Sequence, residues 1–241
     1  RVTLFDVVVA ALLQTIYRRP KVNRFIAGRR LYDHNDISIL YVVKNKLTDD
    51  ALESIAEVKL SPEDTIDDIA MRMKTNTDSI KDGEDKSDDK FIHAVAKLPR
   101  SFLQFAVWLV RLMDFYGVMP RKLQESIPLY SSIYIAHIGS LGADAPFHHL
   151  YELGSTSIFI TIGRTYDAPY KGKDDQIEWR KTIDERICDG FYLAKSLKIF
   201  SEYLKNPSLL DRSPADHEKR MEEIQQRREA RKDTLKTDSQ L

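Results

Sequence analysis

The chain reads as an α/β protein, and three observations predict that class. Helical windows with apolar faces or cores run over Leu4 to Tyr17, Thr65 to Lys74, Phe102 to Tyr116 and Gly190 to Leu204. Between them stand short β-branched runs, at Ile37 to Val43, Ser132 to Ala136 and Ser157 to Gly163. Caps, prolines and glycines fall at the joins.

Taken in order, Thr3 and Asp6 have the spacing of a capping box, and the window after them is apolar enough to be deeply buried. Pro20 stops it. Phe25 to Ala27 and Arg30 to Tyr32 flank Gly28 as a hairpin. Glu57 to Leu60 alternates as a strand, and Ser61-Pro62-Glu63-Asp64 then opens a helix. Asn76 to Lys90 is polar and acidic, an exposed loop or the solvated end of that helix. Phe91 to Leu98 and Phe102 to Tyr116 read as apolar helices parted at Pro99. Ile177 to Ile183 is a further strand, and a helix follows from Gly190.

The 241 residues suffice for one large domain or two small ones. We expect one domain over 1–211 and a charged segment, helical or disordered, over 212–241. Lys plus Arg is 37 and Asp plus Glu is 37, so no basic excess points to nucleic acid or to an anionic membrane. One Cys excludes an internal disulfide framework and Cys-rich zinc sites, and fits a reducing, cytoplasmic location. Gln104, Arg111 and Asp114 interrupt the most apolar window, Ser101 to Pro120, before it reaches the roughly 18 apolar residues a bilayer span needs. That window is expected as a core or interface helix, with a membrane-surface helix as the alternative.

The most specific stretch is Asp184-Glu185-Arg186-Ile187-Cys188-Asp189-Gly190-Phe191, after an apolar strand and before a helix. With Pro20-Lys21-Val22-Asn23 and the order of the elements, it resembles the chloramphenicol acetyltransferase-like superfamily, which includes the acyltransferase cores of 2-oxo acid dehydrogenase complexes. Ser140-Leu141-Gly142 and His148-His149-Leu150-Tyr151-Glu152 resemble a stand-alone bacterial branch. The resemblance covers about Val2 to Leu210. It implies a two-layer α/β sandwich, a mixed β-sheet with helices packed on one face, assembled as a homotrimer. It also implies acyl transfer from acyl-coenzyme A to a small thiol, hydroxyl or amine acceptor, with a His as general base and a Ser or Thr hydroxyl on the oxyanion.

The chain departs from that pattern twice. Glu185 stands at the position of the base His, and Ala136 at that of the hydroxyl, with His137 beside it. A desolvated carboxylate can serve as a base; otherwise Glu185 pairs with Arg186 and catalyses nothing. Asp189 and Arg186 are expected to brace the loop, and Ser140 or His137 to aid the oxyanion. The alternative is a trimeric binding or scaffold protein of the same fold without catalysis. Strand alternation turns His137 to the side of Ile133 and Ile135. His148 and His149 are expected in packing rather than on a metal, and Cys188 as an inert thiol at a strand end. Gly139 to Gly142 is too short for a phosphate-binding loop. Asp82 to Asp89 lacks the apolar strands of a lipoyl carrier, which favours a stand-alone protein.

Overall fold

The computed structural model describes residues 2–44, 53–81, 99–167, 176–220 and 222. Helix α1 (Leu4–Arg18) starts on the predicted capping box: Asp6 Oδ2 accepts from the Thr3 N–H at 2.7 Å, and Thr3 Oγ1 accepts from the Asp6 N–H. A single 3-10 turn, Pro20–Val22, leads into the hairpin of β1 (Arg24–Ala27) and β2 (Arg30–Asp33). Strands β3 (Ile37–Lys44) and β4 (Glu53–Leu60) follow, then α2 (Ile66–Lys81), α3 (Arg100–Tyr116) and α4 (Arg121–Ser126). Strands β5 (Ile133–His137), β6 (Ile158–Tyr166) and β7 (Gln176–Ile183) precede α5 (Gly190–Lys205).

The main sheet has the order β4-β3-β5-β6-β7. Its centre is parallel, β3 to β5 and β5 to β6, and both edges are antiparallel. Period-two alternation sorts the side chains. Ile39, Tyr41, Ile133, Ile135, Ile158 and Ile160 face one side, where α1, α2 and α5 close a single core. Leu40, Tyr134 and Phe159 stand in register on the other, under Leu150 and Tyr151. This is the expected mixed sheet with its helices on one face.

Helix α2 runs to Lys81, past the expected end near Lys74. Its buried row Ile66, Ile69, Met73 and Ile80 keeps helical spacing into the polar stretch, and Asn76 holds the Glu57 carbonyl. The expected helix Phe91 to Leu98 lies outside the described residues. The expected boundary at 211 does not end the packing. Leu210, Ser213 and Pro214 are buried, Gln14 Nε2 donates to the Arg212 carbonyl at 2.8 Å, and Tyr17 donates to Glu218. Residues 214–220 form a helical segment that starts on a Ser213–Asp216 cap.

Helix α3 departs most from expectation. No residue of it is buried, so it is not a core helix. One row, Leu103, Ala106, Val110 and Met113, is half-covered; Phe102, Phe105, Trp108 and Phe115 are about half exposed to solvent.

Candidate functional site

The signature begins where β7 ends. Ile183 pairs with Ile158, and the Asp184 N–H donates to the Ser157 carbonyl at 2.9 Å. A 3-10 turn, Glu185–Ile187, then pins Ile187 into the core and leaves Glu185 and Arg186 exposed. Arg186 pairs with Asp184 at 2.6 Å, and Asp184 also accepts from the Arg186 N–H. That ion pair holds the Asp184 carboxyl below the usual carboxylate range, its partial burial opposing.

The brace is therefore Asp184–Arg186, not Asp189–Arg186. Asp189 is instead the N-cap of α5, accepting from the Tyr192 N–H at 2.8 Å, and that bond lowers its pKa. Glu185 forms no ion pair among the described residues, with Arg186 or any other cation. Cys188 lies in the loop before α5 rather than on a strand, and burial raises its thiol pKa.

His137 ends β5, stacked on Phe5 of α1 at 6.0 Å and so on the side of Ile133 and Ile135. The residue is exposed as a whole, but desolvation of the ring lowers its pKa and favours a neutral imidazole. Ser140 is exposed in the turn Gly139–Leu141. Gly139 serves packing there: a Cβ on it would stand 2.0 Å from the Gly163 carbonyl oxygen. Ala136 points to the opposite face and offers no hydroxyl. His148 lies flat on Phe159 at 3.9 Å, which makes it part of the second apolar layer. Among the described residues no cluster of His, Cys, Asp and Glu has the makings of a metal site.

The predicted residues do not converge within one chain. Glu185 follows Ile183, in the row of Ile158 and Ile133, whereas His137 sits in the row of Ile162. The rows are four residue steps apart along the strands, about 13 Å. Arg186 and Asp189 share the Glu185 end; Ser140 shares the other.

The fold that carries these residues has counterparts among solved structures. A probable dihydrolipoamide acetyltransferase from Listeria monocytogenes superposes with a TM-score of 0.53 at 18% identity, over 85% of this chain and 70% of that one. The cubic core of the pyruvate dehydrogenase multienzyme complex gives 0.54 at 12% identity, over 87% and 71%. A truncated catalytic core of the 2-oxoacid dehydrogenase complex from Thermoplasma acidophilum gives 0.54 at 11%, over 86% and 76%. This chain has the chloramphenicol acetyltransferase-like fold. No family model matches the sequence, and no curated protein does. The likeness thus lies in the path of the backbone.

A second concave site has no counterpart in the sequence reading. A cleft of about 890 Å³ opens between the β1–β2 hairpin, the exposed face of β3 and β4, and the segment from Asp114 to Tyr130. His34 borders it, packed on Phe25 at 4.6 Å, with Nε2 3.2 Å from the Ser155 carbonyl. A carbonyl only accepts, so Nε2 carries the proton and Nδ1 is the basic nitrogen. Burial lowers the pKa of this ring. Tyr130 donates to Asp114 at 2.6 Å, and burial followed by that carboxylate pushes the phenol well above its usual range. Asn23 braces the same corner through the Asp36 carbonyl. His34 sits between polar residues, with no periodicity or motif to single it out.

Proposed function

We propose that this chain is a coenzyme A-dependent acyltransferase whose site is completed by a second copy in a homotrimer. The observation that supports it is the placement of Glu185, exposed and without an ion pair among the described residues, at the opposite end of the sheet from His137 and Ser140. Chemistry that uses both ends needs the Glu185 end of one copy beside the Ser140 end of another. That contact would also take Glu185 out of water, the condition a carboxylate base needs.

In this mechanism Glu185 takes the proton of the acceptor thiol, hydroxyl or amine. The freed electron pair attacks the thioester carbonyl. The Ser140 hydroxyl, or an N–H of neutral His137, donates to the oxyanion. Collapse expels the coenzyme A thiolate, which takes up the proton. Asp184–Arg186 and the Asp189 cap hold the loop that presents Glu185.

Thiol release from acetyl-coenzyme A, measured with a panel of small acceptors, tests the reading. Glu185→Gln should lower turnover at least about 100-fold, the scale of general-base catalysis. An inactive Glu185→Gln protein mixed with an inactive Ser140→Ala protein should recover activity after subunit exchange, because mixed trimers hold some intact sites. No turnover and no coenzyme A binding would favour the other reading, a scaffold of the same fold. The lack of a hydroxyl at Ala136 supports that reading.

A further inference from the structure

We propose that α3 is an interfacial anchor that seats the protein on an anionic lipid surface. Phe102, Phe105, Trp108, Leu112, Phe115 and Tyr116 line the outward side of α3, between 36% and 66% exposed, with Val118 beyond them at 65%. At half exposure each aromatic leaves ~100 Å² bare, so the patch comes to roughly 700–900 Å², above the ~300–600 Å² of the largest patch on a typical monomer.

Charge selects the occupant. Residues 99–122 hold the cations Arg100, Arg111, Arg121 and Lys122 and one carboxylate, Asp114. All four cations are exposed, while Asp114 is half-buried and accepts from Tyr130. The hairpin adds two more. Gly28 meets the carbonyl of Phe115 so closely that a Cβ would lie 1.9 Å from it, which sets exposed Arg29 and Arg30 beside the C-terminal end of α3. Among the described residues Glu152 pairs with Arg111 and offsets that cation, and Asp33 pairs with Arg24, which leaves Arg100, Lys122, Arg29 and Arg30 to set the charge of the rim.

An aromatic and aliphatic strip within a cationic rim complements acyl chains beneath phosphate headgroups. A two-fold pairing of α3 with α3 of a second copy would bring the same cations against each other. The helix lies on the surface and does not cross it: at 17 residues it is about 25 Å long, with Arg111 and Asp114 in its second half.

Flotation of the full chain with vesicles tests this, with pure phosphatidylcholine against vesicles carrying about 30 mol% phosphatidylglycerol. The anionic vesicles should bind at least tenfold more protein, and high salt should reverse most of it. In a Trp179→Phe background, Trp108 fluorescence should shift to the blue on binding and be quenched by brominated acyl chains. Phe105→Glu with Trp108→Glu should abolish flotation, and Arg100→Gln with Lys122→Gln should weaken it severalfold while leaving α3 apolar. Equal binding to both vesicle types, or none to either, overturns the proposal. So does self-association that the Phe105→Glu, Trp108→Glu protein loses while wild type ignores vesicles; the patch would then belong to a second copy.

Discussion

Helices α1 and α3 are the two most apolar of the described helices, and they meet opposite fates. Helix α1 sits between α5, α2 and the sheet, with Val9, Ala11 and Leu13 at 0–1% exposure. Helix α3 touches the rest of the fold along one row and shows a broad aromatic side to solvent. Their ends differ as well. Helix α1 opens on a two-way cap, whereas α3 opens on Pro99 with no side-chain cap. One helix is held by this chain's own core and the other is positioned for something outside it. Apolar sequence specifies burial without specifying the partner.

The sharpest test of that contrast is truncation. Leu13→Ala should cost about 2–5 kcal/mol in urea unfolding, because the closed core cannot collapse into the void. Phe105→Ala should cost less than about 0.5 kcal/mol in the isolated chain. A loss of several kcal/mol at Phe105 would erase the distinction.

A smaller effect separates the ends. Thr3→Ala should remove about 1 kcal/mol by leaving α1 uncapped. The same measurement on Arg186→Ala should read less than about 1 kcal/mol, since the Arg186 side of its pair is largely in water.

The gentlest probe is pH. Burial lowers the pKa of His34, against weaker opposing effects from the Ser155 carbonyl and from Asp36 and Asp33. A lowered histidine pKa means the unfolded chain binds the proton more readily. The contribution is therefore complete above about pH 6.5, the unfolded value, and is lost as pH falls through the folded one. His34 packs on Phe25 of β1, the strand that α3 rests against. Hydrogen exchange should quicken in the hairpin and α3 on acidification before it does in the centre of α1, and His34→Gln should flatten that response. Simultaneous loosening of both helices would show that they share one cooperative unit.

The strands were legible because β-branched runs bounded by glycine leave few alternatives: Ile37 to Val43 and Ser157 to Gly163 name their own ends within a few residues. The start of β4 was not, since Glu53 and Ser54 carry no apolar pattern and gain their place by pairing with Lys44 and Val43. The Ser213–Asp216 cap was in the sequence, but the surrounding charge masked it. At the candidate site, the signature loop and the α5 cap could be read locally. The Arg186 partner could not, because Asp184 and Asp189 are both near enough in sequence and only the backbone turn decides between them. His34 became visible only when a distant carbonyl, that of Ser155, came within reach.

The contacts of Gln14 and Tyr17 with Arg212 and Glu218 span 198 and 201 residues of sequence. During synthesis, α1 is made about two hundred residues before this last part of its cover. Through that interval the Gln14 and Tyr17 end of α1 lacks these partners. The packing of α1 is therefore completed only after the segment around residues 212–218 has been made.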